Sequence, residues 1–174
     1  MCLMLKTIGV FLVVAGAGGC GWVLARSAGK RIEILQELLQ ALILLHGDIA
    51  YSVGDMSENM ERLSCRTEYF SAFFQEISER LSQKRGQSLY HIWREELKQL
   101  SCRQLLHRED MEFLKEIGQN LGNLDRQTQL NTLQVMRERL QQNIDAARQE
   151  YRSQAKLFRV VGLTVGIFTA VLLV

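Results

Sequence analysis

The sequence predicts an all-α protein: an antiparallel bundle of about six helices, flanked by N- and C-terminal transmembrane helices. Three observations predict this class. The 174 residues include no proline, which permits long helices without breaks. Apolar residues recur at the three-four spacing of amphipathic helices, and no strand-like alternation of useful length is present. Every charged residue except Lys6 lies between Arg26 and Arg159, so both ends of the chain are apolar.

The apolar ends predict two membrane segments, residues 1–25 and 160–174, around a helical domain at residues 26–159. The first segment includes an uncharged stretch just long enough for a bilayer core, which takes about 20 residues. The second is shorter and spans only if its helix begins within Lys156–Arg159, whose basic side chains can reach the interface. Two other interpretations stay open, a cleaved signal peptide for the first segment and a buried core helix for the second.

Basic residues flank both apolar ends on the side of the central domain. The positive-inside rule therefore places this domain in the cytoplasm and both termini outside. The four cysteines are scattered singly, without a CxxC pair, which agrees with a cytoplasmic domain. The flanking basic residues are Arg26, Lys30, Arg31, Arg152, Lys156 and Arg159.

Three helices are predicted in the first half of the central domain. The first, Arg31–Tyr51, carries an apolar stripe at three-four spacing. A short helix follows at Ser57–Leu63, which Asp55 or Ser57 can cap. The third, Glu68–Gln83, has an aromatic-rich stripe that we expect in the core. The first stripe consists of Ile32, Leu35, Leu38, Leu39, Leu42, Leu45 and Ile49, and the aromatic one begins with Tyr69, Phe70, Phe73 and Phe74.

Three further helices are predicted in the second half. Leu89–Leu100 follows a capping Ser88, and Arg108–Leu121 follows a short connection. The last helix starts at a capping Asp125 and merges into the terminal apolar run without a breaker. The charged groups Glu95-Glu96 and Arg108-Glu109-Asp110 are expected on helix surfaces.

The sequence shows no recognisable pattern of the residue types that usually catalyse reactions or bind metals. The three histidines are isolated, and the sequence has no H-E-x-x-H, P-loop or G-x-S-x-G motif. The 21 basic and 19 acidic residues leave a net charge of +2, too balanced for a nucleic-acid-binding protein. We therefore expect a protein that is not an enzyme, with no metal, no cofactor and no nucleic acid.

One local pattern, from Leu121 to Gln129, is specific enough to matter. Gly122 suits the left-handed position after a helix, and Asp125 suits the cap of the next helix. Arg126 and Gln129 then lie three residues apart on one helix face. Two interpretations stay open: a tight corner between two helices, or a corner that is also a docking surface for a partner.

Several short motifs, in this order and spacing, resemble the stage III sporulation protein AB family of endospore-forming bacteria. The resemblance covers essentially the whole chain, including its length and its two apolar ends. Its motifs are an acidic-Ile-x-Tyr element at Asp48-Ile49-Ala50-Tyr51, the Trp93-x-x-x-Leu97 helix, the L-G-x-x-D-R-x-x-Q corner at Leu121, Gly122, Asp125, Arg126 and Gln129, and the terminal run from Gly162. Asp48 stands where the family is expected to have Glu.

The resemblance implies a function that composition could not give. Proteins of this family are membrane components of the channel complex between mother cell and forespore. Their helical domain is similar to the cytoplasmic domains of the type II secretion and type IV pilus platform protein. The implied partners are a secretion-type ATPase, stage III sporulation protein AA, the AC to AH proteins and the forespore protein Q. Self-association is a further option.

These implications predict a non-enzymatic platform subunit in the mother-cell membrane that faces the forespore. A different class of protein is the alternative. Cys20 lies in a Gly-rich stretch that vaguely resembles a lipoprotein cleavage site, although it lacks the usual aliphatic residue three positions earlier. The chain would then be an exported lipoprotein, modified at Cys20, that acts as an envelope binding module.

Overall fold

The computed structural model describes residues 27–51, 54–83, 86–123 and 125–173, and this part of the chain contains helices and no strand. The all-α prediction is therefore confirmed. The first helix, α1, covers residues 27–50. The following helices are α2 (Met56–Ser64), α3 (Ser71–Ser82), α4 (Leu89–Gln99), α5 (Arg108–Asn123) and α6 (Arg126–Leu173), with a short 3₁₀ helix at Arg103–Leu105 between α4 and α5.

The chain divides into two compact units. One is Arg31–Ile144, which holds the core described below, and the other combines residues 1–30 with 145–174. None of the helices in the described ranges is both long and apolar enough to cross a membrane. The predicted segment at 1–25 lies outside the described residues, and the backbone of 160–173 is helical as the end of α6. Both transmembrane assignments therefore stay predictions.

Helix α1 packs against the core along the stripe that the sequence predicts, although the stripe is wider than predicted. Ile34 and Ala41 are buried beside it, whereas Ile32 and Leu39 are only partly buried. Full burial of one such side chain contributes about 1.5–3 kcal/mol. The rest of the unit adds to this core, among others, Met60, Leu63, Phe70, Phe73, Phe74, Ile77, Ile92, Trp93, Leu97, Leu114, Ile117, Leu121, Leu133, Met136, Leu140 and Ile144.

Helix α3 begins later than predicted, at Ser71 instead of Glu68, because its start is held from another helix. The carboxylate of Glu37, on α1, accepts hydrogen bonds from three successive backbone N–H groups at 2.8 to 3.1 Å. The donors are Glu68, Tyr69 and Phe70. Phe70 directly precedes the helix and provides no side-chain cap. Glu37 therefore takes the place of a local capping residue.

The other helix boundaries follow local capping chemistry. Asp55 caps α2 by accepting from the N–H of Glu58 at 2.9 Å, so the first of its two predicted caps is the right one. Ser88 caps α4 as predicted. Helix α5 continues to Asn123, so Gly122 lies in its last turn and is not the residue that ends it.

Candidate functional site

The predicted corner lies where three helix ends of the Arg31–Ile144 unit meet. The start of α6 contacts the last carbonyl groups of α1 and the last turn of α5 through two side chains. The contact with α1 joins residues from two separate motifs, whereas the contact with α5 lies within the corner motif. The geometry of each contact decides what the corner can do.

Arg126 connects the start of α6 to the end of α1. Its Nε donates to the carbonyl of Ile49 at 3.0 Å and its Nη2 donates to the carbonyl of Ala50 at 2.5 Å. Carbonyl groups in the last turn of a helix have no partner within that helix and carry its partial negative charge. The guanidinium satisfies two of them at once. The acidic-Ile-x-Tyr element and the corner motif, 76 residues apart at Ala50 and Arg126, are thus in direct contact.

Gln129 and Asp125 complete the corner. Gln129 donates from Nε2 to the carbonyl of Leu121 at 2.9 Å, which binds the end of α5 to the first turn of α6. Asp125 accepts from the N–H of Thr128 at 3.2 Å, which confirms it as the cap of α6. Hydrogen bonding from Thr128 also holds the pKa of Asp125 below its ordinary value.

The corner therefore has a structural role whether or not it also binds a partner. Asp125 and Arg126 remain exposed while making these bonds, and Gln129 is half-buried. Tyr51, the last residue of the acidic-Ile-x-Tyr element, is 84% exposed, the highest fraction among the exposed large apolar side chains. Docking at the corner stays a prediction, and these exposed groups are what a partner could contact.

The opposite end of α1 carries a buried ion pair that the sequence reasoning missed. Arg31 donates to Asp110 at the start of α5 through both Nε (2.7 Å to Oδ2) and Nη2 (3.0 Å to Oδ1). The two side chains are only 11% and 2% exposed. Asp110 also accepts from the backbone N–H of His107 at 2.9 Å. The expectation that Asp110 is a surface charge was wrong, because it holds this partner inside the unit.

The basic residues predicted to flank the membrane segments lie in different environments. Arg31 is bound to Asp110, so its guanidinium serves the bundle. Lys30 and Arg152 are exposed. Arg26 lies outside the described residues, and of Lys156 and Arg159 only the helical backbone of α6 is described.

The structure explains the second motif of the resemblance, Trp93-x-x-x-Leu97, by the contacts of its tryptophan. Its indole Nε1 donates to the carbonyl of Leu114 on α5 at 2.8 Å, and its ring meets Phe73 edge to face at 4.9 Å. A Cβ added at Gly118 would clash with the indole ring, so glycine there allows α4 and α5 to approach closely. Leu97, one turn later on α4, is also buried. This motif is part of the core.

The other side chains that could bind a metal or react chemically are dispersed over the described part of the chain. Within the described residues, no three His, Cys, Asp or Glu side chains are grouped so that they could hold a metal ion. Arg80 of α3 binds Glu95 and Glu96 of α4 at 2.5 and 2.6 Å, so this acidic pair links two helices. Burial raises the pKa of the Cys102 thiol to about 11, which keeps it protonated at neutral pH.

Comparisons with known proteins agree on one family. The family model described as stage III sporulation protein AB matches residues 6–174. Stage III sporulation protein AB of Bacillus subtilis (strain 168) is 24% identical over 171 residues, which cover 98% of this chain and 99% of that protein. A solved structure of stage III sporulation protein AB has a TM-score of 0.63 at 22% identity and covers 71% of this chain and 97% of its own.

Proposed function

The chain belongs to the stage III sporulation protein AB family, and from this membership we propose that it is a non-enzymatic scaffold subunit of the channel complex between mother cell and forespore. In this proposal it lies in the mother-cell membrane that faces the forespore, with its helical domain in the cytoplasm. It links a cytoplasmic secretion-type ATPase, stage III sporulation protein AA, to the AC to AH proteins and the forespore protein Q.

The family match over residues 6–174 is the observation that carries this proposal. The fold supports it in a second way. The polar side chains that sequence reasoning singled out connect helices to one another: Arg126 binds α1, and Gln129 binds α5. A bundle stabilised in this way suits a subunit that holds other proteins in position.

The direct test of the proposed partner is binding of the full chain to the ATPase. We expect the detergent-purified full-length protein to bind purified stage III sporulation protein AA, and a strain that lacks the gene to regain sporulation with the wild-type copy. Absence of binding, together with normal sporulation in the deletion strain, would overturn the proposal.

The corner is the proposed docking surface for this partner. Arg126 is unsuitable as the sole test, because its loss also breaks two bonds to α1. Asp125→Ser is better, since serine caps a helix nearly as well as aspartate and removes only the charge. We expect weaker binding to the ATPase with an unchanged unfolding midpoint, and unchanged binding would assign the corner to structure alone. Lys115→Gln, at an exposed pair with Glu112 on α5, is the matched control.

The length of α6 suggests how motion could pass through the protein. α6 is a single helix from Arg126 to Leu173, and in this proposal it conveys movement from the ATPase toward the membrane. A flexible Gly-Ser insertion after Ser153 should therefore abolish sporulation while the protein remains membrane-associated. Normal sporulation with this insertion would rule out stiff coupling.

Location is tested by labelling a single cysteine from either side of the membrane. Gln83 is exposed and suits the new cysteine, whereas Cys2, Cys20 and Cys65 are changed to Ser. Cys102 can stay because it is buried and protonated. Labelling by an impermeant maleimide only after permeabilisation is the expected result. Labelling of intact cells would favour the exported lipoprotein, which an intact mass of the wild-type chain without residues 1–19 and with added lipid would establish.

A further inference from the structure

The connection between α4 and α5 is rich in basic side chains. Residues 98–108 include Lys98, Arg103 and Arg108 and no acidic residue. These three side chains are exposed, as is His107. In a chain with 21 basic and 19 acidic residues, a stretch of one sign is a local excess of positive charge. We refer to residues 98–108 as the basic connection.

Lys98 and Arg103 keep their charge available at the end of α4. Lys98 acts electrostatically on Glu95, but Arg80 of α3 already binds that carboxylate at 2.5 Å. Arg103 donates from Nη1 to the backbone carbonyl of Lys98 at 3.4 Å, which leaves the charge of its guanidinium unneutralised. Within the described ranges, neither side chain forms a salt bridge with a carboxylate. Both charges therefore face solvent.

Arg108 adds a third charge at the start of α5. It acts electrostatically on Glu112, which Lys115 already binds at 2.8 Å. No carboxylate in the part of the chain that the structure describes forms a salt bridge with Arg108. The adjacent Glu109 is exposed and offsets one charge. Three basic side chains against one exposed carboxylate leave this surface positive.

The basic connection lies at the end of the Arg31–Ile144 unit where the chain enters it. Arg31 is the first residue of the unit and is bound to Asp110 in the first turn of α5. Glu37, also in the first half of α1, holds the connection between α2 and α3 on this side. That connection adds one exposed charge of each sign, so the surface stays positive.

The chain also leaves the unit at this end. Helices α5 and α6 run antiparallel, because Gln129 binds the carbonyl of Leu121 and Arg139 binds Glu116. The start of α5 is therefore level with the part of α6 beyond Arg139. The unit ends in that part, at Ile144. Both connections of the unit to the rest of the chain thus lie beside the basic connection.

We propose that the basic connection binds the anionic headgroups of a phospholipid membrane. This proposal rests on the membrane location in the proposed function, because the end with both chain connections is the one that such a membrane meets first. Each Lys or Arg near an anionic membrane surface strengthens attachment about fivefold. The attraction acts within about 8 Å at physiological salt and weakens as salt is added.

Quenching of a fluorophore by nitroxide-labelled headgroups measures this contact. The full chain, with Cys2, Cys20 and Cys65 changed to Ser, carries the fluorophore at Gln104→Cys in the basic connection or at Gln83→Cys at the far end of α3. It is reconstituted in phosphatidylcholine vesicles with or without phosphatidylglycerol. We expect phosphatidylglycerol to raise quenching at position 104 at least threefold, reversibly by high salt, and to leave position 83 unchanged. Equal quenching at both positions, or no effect of phosphatidylglycerol, would overturn the proposal.

Two variants with the same change in charge separate a local contact from overall charge. The test variant is Lys98→Gln, Arg103→Gln, Arg108→Gln, and the control variant, on exposed helix sides, is Arg94→Gln, Lys115→Gln, Arg139→Gln. The test variant should lose the increase in quenching and keep its unfolding midpoint, because its three side chains are exposed. The control variant should keep the increase. Equal quenching in the two variants would exclude the proposed contact.

Flotation distinguishes failure of this contact from failure of the proposed function. Flotation of the chain with phosphatidylcholine vesicles reports anchoring through the apolar ends, without anionic lipid. A chain that floats without lipid-dependent quenching keeps its membrane location and loses this contact. Absence of flotation would overturn the location and this proposal with it. A test variant that is quenched like the wild type but no longer binds stage III sporulation protein AA would assign the connection to a protein partner instead.

Discussion

The two ends of α1 are held by arginines in opposite ways. At the beginning, Arg31 and Asp110 form a pair of full charges that is almost completely buried. At the end, Arg126 binds two backbone carbonyls of α1 and is itself exposed to solvent. The first contact depends on two particular side chains, whereas the second depends on one side chain and a helix end that any sequence would supply. The cost of losing either contact should therefore differ several-fold.

The largest effect is expected at the buried end. Asp110→Ala removes the carboxylate that pairs with the buried Arg31 guanidinium, and breaking a buried ion pair from one side costs about 3–5 kcal/mol. Urea unfolding of the full chain, followed by circular dichroism at 222 nm, measures this loss. The double variant Arg31→Met, Asp110→Leu is the control, because it removes both charges and should regain most of the stability. If the double variant is as unstable as the single one, the loss comes from packing or from the missing bond between the His107 N–H and Asp110, and not from the ion pair.

The next largest effect lies between the two ends, at Glu37. Its carboxylate accepts three N–H groups at the start of α3, so Glu37→Ala removes the acceptor of all three. We expect the free energy of unfolding to fall by about 1.5–3 kcal/mol, since hydrogen bonds to charged groups contribute about this much. The value is not larger because the site is partly open to water. Hydrogen exchange at Glu68 and Phe70 should accelerate selectively. Exchange that accelerates evenly over α3 and α4 would show a global effect.

A smaller effect is expected at the exposed end. Arg126→Gln should lower the free energy of unfolding by about 1 kcal/mol, because a cation near a helix C-terminus contributes this much in an exposed position. Lys115→Gln is the control, since Lys115 makes an exposed pair with Glu112 within α5 and should change stability by less than about 0.5 kcal/mol. Equal losses from Arg126→Gln and Asp110→Ala would remove the contrast between the two ends.

The smallest effect is the pH dependence of the corner. The pKa of Asp125 is below its ordinary value because of hydrogen bonds from Thr128. A depressed pKa means that this stabilisation is present above the unfolded-state pKa and is lost as pH falls through the folded-state pKa. Stability of the wild type should therefore decline further than that of Asp125→Ser in this acidic range. Parallel curves would show that Asp125 caps α6 without a measurable linkage to protons.

The contrast also shows which features the sequence could predict. Asp125 was assigned correctly because a cap contacts residues within its own first turn. Asp110 was assigned to the surface, although it lies four, seven and eleven residues before Leu114, Ile117 and Leu121, in their inward-facing register. That register was the available signal. The aromatic start of α3 was placed three residues early, because Glu37 acts from another helix and no local pattern marks it.

The corner between α5 and α6 illustrates a different limit. The sequence singled out Arg126, but its acceptors are backbone carbonyls, which every residue has. No pattern of side chains could therefore identify α1 as its partner. The contact between the two family motifs became visible only when the helices were placed in space.

The separation of these contacts along the chain has a consequence for synthesis. Glu37 finds its first N–H partner 31 residues later, whereas Arg31 and Asp110 are 79 residues apart. At about 5–20 residues per second, a ribosome takes roughly 4–16 s to cover that second interval. During this time, α1 can dock on α3 through Glu37, but Asp110 has not yet been synthesised and the face that later meets α5 and α6 is uncovered. Helix α1 is therefore made first but stays incompletely packed until α5 and α6 follow, because its partners Asp110 and Arg126 lie late in the chain.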